Sequence, residues 1–574
     1  MKLKWTLGAS TMLLAGSLIV PSGTIFAATT SGNSTSHHLI QAGSHANMGR
    51  TQNVGSDLAL GKSYTVTTQW PDNTFHSIES KWPNNGQLTD GQMAPLSFSS
   101  SGWEAFLRQY GRAITINLGK TENIRSLSLN MLQNLSAGID FPNSVSYQVS
   151  NDGKHWTSVG MSKSTWKGDT TPGTQAYRVY TNVNARYVRA IFTAKVFAFA
   201  DEFVVDGFKT PNWHTWTPQF GHAQPWSTKS VGYLPSGSWK SAGIRNLMLA
   251  YTDGHGSLGT WTAQNFEPMI AHETSSGKAT NWMYDGVLFG PYGSPASAST
   301  INGWVQNLFS KDIQLSALNQ AVATAKKKLN DPGYKEKVVI NVPGLTSSPS
   351  SFGAISPSGR SLDLNPADVG QYQAYLNKLK VIHWYIHQIE QNWKSHHYSN
   401  LELAGFYWQP ESLAANLPYN ADLVRATSFM VHLNGGKFFW IPYYGAVGVT
   451  RARSLGFDSV MIQPNVSFNW NINAYDRFAS VAGMAKQYGD GIEIEAHWDV
   501  TSATTSLAQT AQKKYYDYFS AGNVFGFQNN VLKSYYLGSK TLLTAYQSTN
   551  PFYHSLYDNT NRFIEGLWTG TQIQ

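Results

Sequence analysis

Two glutamates stand two residues apart in the stretch GIEIEAHWDV, residues 491–500. Glu493 and Glu495 alternate with isoleucines, a period of two that predicts a β-strand with one apolar and one acidic face. A third carboxylate, Glu411, follows the apolar run LELAGFYW at 401–408. Carboxylates can act as general acid, general base or nucleophile when a fold holds them on either side of one bond. The elements that carry these glutamates therefore decide whether they can work together.

Those elements belong to a C-terminal region, residues 241–574, in which strand-like runs alternate with helical patterns. Eight runs are predicted as strands: 243–253, 282–292, 336–345, 401–412, 437–446, 457–468, 491–500 and 523–530. Eight strand-then-helix units in this length are typical of a (β/α)8 barrel of the TIM type. A doubly wound open sheet is the alternative, but no glycine-rich phosphate loop follows the first run to support its nucleotide-binding version.

The barrel interpretation places the candidate site at the carboxyl ends of the strands. Polar and aromatic residues near those ends are predicted to bind substrate: Asp253, Asp285, Trp408, Gln409, Trp440, Tyr443, Tyr444, Gln463, Asn465, His497 and Trp498. Glu411 is predicted as the general acid/base, and Glu495, nearer the end of its strand than Glu493, as the nucleophile. Glu493 is predicted to orient Glu495 or to raise a neighbouring pKa by like-charge repulsion. A structural network with Arg245 or a bound cation is the alternative.

Two other chemistries have weaker support in the sequence. His383 and His387 stand four residues apart on a predicted helix, a spacing that can bind zinc, but the HExxH pattern is missing. A Ser-His-Asp hydrolase would be favoured by a Gly-x-Ser-x-Gly elbow, which the sequence does not supply. Carboxylate chemistry is therefore preferred.

Composition narrows the class of protein. The 574 residues include no cysteine, which excludes disulfides and thiolate chemistry. The formal net charge is +8, but the basic residues are scattered, which disfavours nucleic acid as a partner. Only 13% of residues are charged, whereas 20 are Trp, 29 Tyr and 27 Phe. This aromatic content suits sugar binding, because rings stack on pyranose faces, and it equally suits a large aromatic core.

The N-terminus has the pattern of a secretory signal. Residues 1–27 are predicted as a signal peptide, with Lys2 and Lys4 ahead of an apolar run. Residues 28–53, mostly small and polar, are predicted as a flexible leader. No later segment is long and apolar enough to span a bilayer. We therefore expect a secreted, extracellular protein without a membrane span.

Residues 54–208 show short alternating runs separated by turn signals, which are typical of an antiparallel β-sandwich. The runs LALGKSYT, LTDG, VSYQVSNDGKHWTSVG, ARYVRA and DEFVVDG resemble the discoidin or coagulation-factor C-type domain, a jelly roll common as a carbohydrate-binding module. The resemblance implies a structural Ca²⁺ held by backbone carbonyls together with Asp90 and Glu202, since hard oxygen ligands suit this ion. A turn-capping role for Asp90 is the alternative.

The remaining segments resemble a second family. Residues 209–240, rich in Pro, Gly and Trp, are predicted as an ordered linker or a lid over the following domain. From roughly 230 to 570 the chain is similar to a bacterial family known only as domain of unknown function 4855. The matching stretches are WMYDGVLF, HWYIHQIEQNW, NLELAGFYWQPES, FFWIPYYGAVG, GFDSVMIQPN and GIEIE. The resemblance implies a secreted protein whose domain is joined to a discoidin-like module, and it implies no reaction.

Together these features predict a secreted, retaining glycoside hydrolase that cleaves a polysaccharide with two glutamates at the barrel mouth. A non-catalytic protein that binds glycan or a cell surface is the first alternative. A polysaccharide lyase, with a Tyr or His as the base, is the weaker one. No cofactor is expected for catalysis.

Overall fold

The computed structural model describes residues 55–70, 79–107, 111–165, 171–217, 223–226, 230–252, 259–291, 293–414, 417–501, 506–538 and 540–573. The predicted signal peptide and leader lie outside these ranges, as does Asp253. From Ser56 onward the chain forms one compact unit, in which a β-sandwich precedes a barrel. Within the described ranges, no helix is long and apolar enough to cross a membrane.

The sandwich consists of eight antiparallel strands, as the alternating pattern predicts. They are β1 Ser56–Asp57, β2 Tyr64–Thr68, β3 Glu104–Leu107, β4 Gly111–Gln133, β5 Ser144–Ser150, β6 Thr157–Lys163, β7 Gly173–Thr193 and β8 Phe197–Phe208. The order is β1-β8-β4-β7-β5-β6, with β2 added to β4 and β3 to β8. Register shifts near Asn117 and Ile124 interrupt the pairing of the two longest strands, β4 and β7, so that each contributes to more than one part of the sheet. The buried core includes Tyr147, whose hydroxyl accepts from the Leu129 N–H at 2.8 Å.

The C-terminal region contains a closed barrel of eight parallel strands. They are β9 Asn246–Tyr251, β12 Gly286–Gly290, β13 Glu336–Val342, β14 Leu401–Trp408, β15 Lys437–Trp440, β16 Ser459–Ile462, β17 Gly491–Glu495 and β18 Lys533–Tyr536. A hairpin, β10 Ala271–Glu273 with β11 Ala279–Trp282, lies outside the barrel. Because the barrel closes by pairing β18 with β9, the open-sheet alternative is wrong.

Helices separate most barrel strands in the sequence. They are α1 Ala263–Ile270, α2 Ala298–Leu308, α3 Gln314–Lys328, α4 Pro366–Val369, α5 Gln371–His396, α6 Asn420–Leu433, α7 Ala474–Tyr488, α8 Ser506–Phe525, α9 Thr541–Gln547 and α10 Pro551–Ile564. Between β15 and β16, a linking segment described throughout, the three-ten segment Val449–Leu455 stands in place of an α-helix. Alternate strand residues such as Ile492 and Ile494 pack outward in the same apolar cluster as the helices, as the alternation predicts.

The eighth strand is not where the sequence predicts it. The predicted run 523–530 begins inside α8, and the strand is the short segment β18. The N–H groups of Phe527 and Gln528 both donate to the Gly522 carbonyl, so this run is the end of a helix and the turn after it. Its Val and Phe residues resemble a strand because both residue types are common in strands.

The predicted linker closes the floor of the barrel, at the amino ends of the strands. The Leu234 N–H donates to the Asp490 carbonyl at 3.0 Å, and the Leu532 N–H donates to the Leu234 carbonyl at 2.9 Å. Leu234 is buried in the interior cluster with Ile244 and Leu247. Residues 230–240 of this segment thus form a floor under the barrel and not a lid over the mouth.

The sandwich packs on the barrel. Gln69 Nε2 donates to Gln487 Oε1 at 2.7 Å, and the indole of Trp70 lies against Gly483 in α7. Phe197 and Phe199 of the sandwich belong to the same buried cluster as the outer face of the barrel. The two domains therefore share a continuous apolar core.

Candidate active site at the barrel mouth

The structure brings the three predicted glutamates together at one end of the barrel. In β17, Glu493 pairs with Ser534 and Glu495 with Tyr536 of the neighbouring strand, and both glutamates face the interior. Glu411 follows the end of β14 by three residues. Since the strands are parallel, Glu411 and Glu495 lie at the same rim. The charge of Glu411 acts on both other carboxyls, which places all three within electrostatic reach.

Two donors stabilise the charged form of Glu495. Its Oε2 accepts from the Asn465 N–H at 2.6 Å and from the Tyr518 hydroxyl. Burial raises the pKa of Glu495, and Glu411 adds to the rise, whereas the two donors and the Arg477 guanidinium lower it. Donors that stabilise the charged form favour ionisation in a buried site.

Glu493 lies deeper in the barrel and has weaker polar support. It is buried, and Ser534 Oγ approaches its Oε1 at 3.3 Å. Burial raises the pKa of Glu493 well above its usual value, and the charges of Glu495 and Glu411 raise it further. Two carboxylates on one face of a strand cannot both ionise cheaply at low dielectric. Within the pair, the protonated form is therefore favoured more strongly at Glu493 than at Glu495, whose pKa is raised to about 7.

Glu411 is accessible to solvent at the mouth although protein atoms surround it. Its side chain is exposed, yet the surrounding protein removes much of its bulk hydration, which raises its pKa. A hydrogen bond from the Gln463 side chain opposes the rise. Because the carboxyl remains in contact with solvent, that solvent moderates the rise. Glu411 is therefore a solvent-accessible residue whose raised pKa favours the protonated form of its carboxyl.

Amide side chains connect the loops around these carboxyls. Gln463 Nε2 donates to the Ile441 carbonyl at 3.0 Å. Gln409 Oε1 accepts from the Gly344 N–H at 3.0 Å, and its Nε2 donates to the Gly293 carbonyl at 2.9 Å. Asn465 adopts a left-handed backbone, φ 56°, which aims its N–H at Glu495. The structure thus places all three predicted amides at the mouth.

Aromatic rings form one wall of the mouth beside Glu495. The His497 and Trp498 ring centroids are 4.0 Å apart, and Trp498 is 55% exposed. Phe468 lies against both of these rings and against Tyr536. Burial lowers the pKa of His497, and Asp499 opposes this effect. Phe468 and Tyr536 were not predicted as site residues: Phe468 ends the predicted run 457–468 but lies on the loop after β16, and Tyr536 lies on the strand that the sequence misplaces.

Two further interior residues complete the mouth. Asn341 is buried, and neither atom of its side-chain amide has a hydrogen-bond partner among the described residues. Tyr407 faces inward from β14, and burial raises the pKa of its hydroxyl, with further contributions from Glu411 and Glu493. An unpaired amide and a neutral phenol in this position can donate hydrogen bonds to a ligand in the barrel.

Asp285 is not part of the mouth, contrary to the prediction. It immediately precedes β12, at the floor, where Oδ1 accepts from the N–H groups of Arg245 at 2.9 Å and Asn246 at 2.8 Å. The predicted strand begins at Trp282, whereas β12 begins at Gly286, and this shift moves Asp285 to the opposite end. Arg245 lies at the floor as well, so the predicted network between Arg245 and the glutamates is wrong.

Four predicted aromatic residues pack in the core or against other side chains. Trp440 stacks on Phe457 at 4.8 Å and donates from Nε1 to the Pro410 carbonyl, while Trp408 packs edge-on against Phe438. Both indoles are buried. The Arg477 guanidinium covers the ring of Tyr444 at 3.6 Å, and Tyr443 meets Tyr444 edge-on. The prediction that Trp408, Trp440 and Tyr444 bind substrate is wrong, because their side chains are buried in the core.

The sandwich carries a separate acidic cluster at the predicted calcium position. Glu202 Oε2 accepts from the Gly91 N–H at 3.0 Å, and its Oε1 is buried without a hydrogen-bond partner. Burial, together with Asp57, Asp90 and Asp201, raises the pKa of Glu202 to about 8. An unpaired oxygen among carboxylates fits a hard cation. Within the described ranges no three His, Asp or Glu side chains form a metal site, so the ion would also need backbone oxygens.

A family model described as domain of unknown function (DUF4855) matches residues 246–562, which is more than half of the chain. The chain belongs to this family. A second model, the F5/8 type C domain, matches residues 65–203 and coincides with most of the sandwich. Both resemblances seen in the sequence are thereby confirmed. No curated protein matches the chain.

Several solved structures are similar to about a quarter of the chain. A chitosan-binding module of a chitosanase/glucanase from Paenibacillus sp. IK-5 is 23% identical, with a TM-score of 0.20, and covers 26% of this chain and 99% of its own. The C-terminal domain of a chitobiase from Bacteroides fragilis is 16% identical, with a TM-score of 0.20 and coverages of 27% and 99%. The lectin domain of lectinolysin, complexed with Lewis B antigen, is 18% identical, with a TM-score of 0.20 and coverages of 27% and 97%.

Proposed function

We propose that the protein is a secreted glycoside hydrolase that cleaves a polysaccharide, and that its barrel is of the (β/α)8 TIM type. One observation carries the proposal: Glu411, Glu493 and Glu495 meet at the carboxyl ends of parallel strands, in a mouth with an aromatic wall. Burial and neighbouring donors separate the pKa values of these carboxyls, as the acid and the nucleophile of glycoside hydrolysis require. Among the residues that the structure describes, the proposed site has no cluster of basic residues that would favour a phosphate ester.

Glu411 is proposed as the general acid and Glu495 as the nucleophile. Glu411 gives its proton to the glycosidic oxygen while that oxygen leaves the anomeric carbon, and Glu495 forms an ester bond to the same carbon. Glu411, now a carboxylate, takes a proton from water, and the resulting hydroxyl displaces Glu495. Retaining enzymes of this kind hold the two carboxyls about 5–5.5 Å apart.

The remaining residues support the same steps. A protonated Glu493 limits the negative charge beside Glu495 and leaves the nucleophile ionised. Tyr518 and the Asn465 N–H orient the reacting carboxylate. Trp498 presents an exposed ring to a sugar face, and Asn341 offers amide groups to its hydroxyls.

The sandwich is proposed to hold the polysaccharide and to bind a structural Ca²⁺. A match to the F5/8 type C domain, a fold common among carbohydrate-binding modules, supports this role. Asp90, Glu202 and nearby backbone oxygens would hold the ion, which would pair the otherwise unpartnered Glu202 oxygen. Calcium serves structure here and takes no part in the reaction.

Incubation of the full chain with a panel of polysaccharides tests the proposal. We expect new reducing ends without new ultraviolet absorbance, because hydrolysis adds water and leaves no double bond. Unsaturated, absorbing ends would indicate a lyase. Retention of a polysaccharide with no cleavage across the panel would contradict the enzyme assignment and favour a binding protein.

A further inference from the structure

Three tyrosines form an exposed cluster that the proposed mechanism does not use. We call Tyr372, Tyr375 and Tyr419 the tyrosine platform. The Tyr375 and Tyr419 rings stack with centroids 5.4 Å apart at 24°, and Tyr372 lies 5.5 Å from Tyr419. Tyr372 is 58% exposed and Tyr419 is 38% exposed. The cluster thus presents aromatic surface and phenol hydroxyls to solvent.

The platform lies at the same end of the barrel as the three glutamates. Helix α5 ends at His396, and β14 begins at Leu401, so the end of α5 is near the floor. The 26 residues of α5 span about 39 Å at 1.5 Å per residue, which carries its first turn, with Tyr372 and Tyr375, to the mouth end. Tyr419 ends the loop that begins with Glu411 and leads into α6, which packs against α5.

The backbone of Tyr419 is unusual for its residue type. Its φ of 61° and ψ of 6° lie in the left-handed region, which a bulky side chain adopts at a cost. It also occupies the N-cap position of α6, where Asn, Asp, Ser or Thr would cap the helix, and the tyrosine supplies no cap. An asparagine would suit both requirements. The tyrosine therefore opposes two local preferences and keeps a ring in the exposed cluster.

We propose that the tyrosine platform is a binding subsite for a pyranose ring of the polysaccharide, away from the bond that is cleaved. The axial C–H groups of a pyranose stack on aromatic faces, and its hydroxyls bond to phenol groups. The inference rests on the proposed function, because it requires the mouth to receive a glycan chain. Its consequence is selectivity for chain length: a long chain reaches from the three glutamates to the platform, and a short oligosaccharide does not.

Two variants test the platform in the full chain. Tyr372→Ala removes an exposed ring, and Tyr419→Asn removes a second while relieving the backbone and capping α6. We expect each to raise KM for the cleaved polymer about ten-fold, which corresponds to ~1.4 kcal/mol. Neither should change kcat/KM for the shortest oligosaccharide of that polymer that the wild type cleaves. Tyr419→Asn should keep or raise the melting temperature, which separates loss of binding from loss of fold.

Phe429→Ala is the matched control, since Phe429 is 64% exposed and lies on the outer part of α6. It should leave KM for both substrates unchanged. Wild-type KM for the polymer in both platform variants would overturn the subsite while leaving the hydrolase intact. If the protein retains a polymer without cleaving it, affinity electrophoresis replaces KM, and unchanged mobility in both variants overturns the platform. If the wild type neither cleaves nor retains any polysaccharide, both proposals are overturned.

Discussion

At the scale of single residues, Tyr518 controls the ionisation of the proposed nucleophile. Its hydroxyl donates to Glu495 and is the strongest influence that lowers the pKa of this carboxyl. Without that donor the pKa of Glu495 rises further, and the carboxylate forms only at higher pH. The Tyr518→Phe variant therefore separates a positioning role in catalysis from a purely structural one.

For Tyr518→Phe we expect the acid limb of the kcat/KM profile to move to higher pH. At pH values on the acid side of the profile, kcat/KM should fall about ten-fold or more, because a hydrogen bond to a charged group contributes ~1.5–3 kcal/mol. The measurement is the pH dependence of reducing-end release. Tyr515→Phe is the control, since Tyr515 lies on the same helix and its hydroxyl bonds to Thr560. An unshifted profile in Tyr518→Phe would exclude this role.

The residues of the mouth were predictable to different degrees. The alternation in GIEIE predicts that Glu493 and Glu495 share the face opposite the isoleucines, because the period of a strand is fixed by its backbone. Tyr518 could not be predicted, since it reaches Glu495 from α8 and no local pattern shows which turn of that helix meets the mouth. Trp440 was misplaced because a strand end has an inward and an outward face, and its ring lies on the outward one.

At the scale of elements, the floor formed by the linker supports the strands that carry the site. Leu234→Ala should lower the free energy of unfolding by about 2–5 kcal/mol, because it opens a cavity beside the buried barrel interior. Val231→Ala is the control, since Val231 belongs to the same segment and is 65% exposed. Denaturant unfolding of the two variants measures the difference. Equal stability would show that the segment is not part of the barrel core.

The acidic edge of the sandwich is predicted to make the stability of the fold depend on pH and, if the proposed ion binds, on calcium. The pKa of Glu202 is raised to about 8 in the fold, so its contribution is fully present below its unfolded pKa of about 4.5 and is lost as pH rises through 8. We expect Ca²⁺ to raise the melting temperature more at pH 8 than at pH 5, because protons compete with the ion.

Thermal unfolding with Ca²⁺ and with EDTA at both pH values is the test of the calcium prediction. Glu202→Gln should abolish the calcium effect, whereas Asp152→Asn, on an exposed turn of the same sandwich, should keep it. A melting temperature that does not respond to Ca²⁺ at pH 8 would contradict the site.

Element types were easier to predict than element ends. The barrel follows from seven predicted runs that contain strands and alternate with amphipathic segments. The start of β12 and the position of β18 could not be predicted in this way. Trp282 ends the hairpin strand β11 but extends the apolar run ahead of β12, and Phe525 is the last residue of α8. Those two boundaries account for the misplacement of Asp285 and the omission of Tyr536.

At the scale of the whole molecule, the sandwich and the barrel are joined by close packing. A Cβ on Gly483 would lie 2.4 Å from the Trp70 indole nitrogen, so Gly483→Ala should destabilise the contact by about 1–3 kcal/mol. Gly303→Ala, in a helix with open space at this position, should stabilise by about 1 kcal/mol. Thermal unfolding compares the two variants. A stabilising effect of Gly483→Ala would show that the domains are not packed at this point.

The central claim is that Glu411 and Glu495 perform hydrolysis. The most direct test compares reducing-end release by the wild type, Glu411→Gln, Glu495→Gln and the control Glu402→Gln on the polysaccharide that the wild type cleaves. Glu402 lies on β14, the strand that leads to Glu411, but its side chain is exposed and pairs with Lys337. We predict that Glu411→Gln and Glu495→Gln lose activity by about 10³-fold or more, while polymer binding and Glu402→Gln activity are kept. Full activity in either mouth variant would contradict the account.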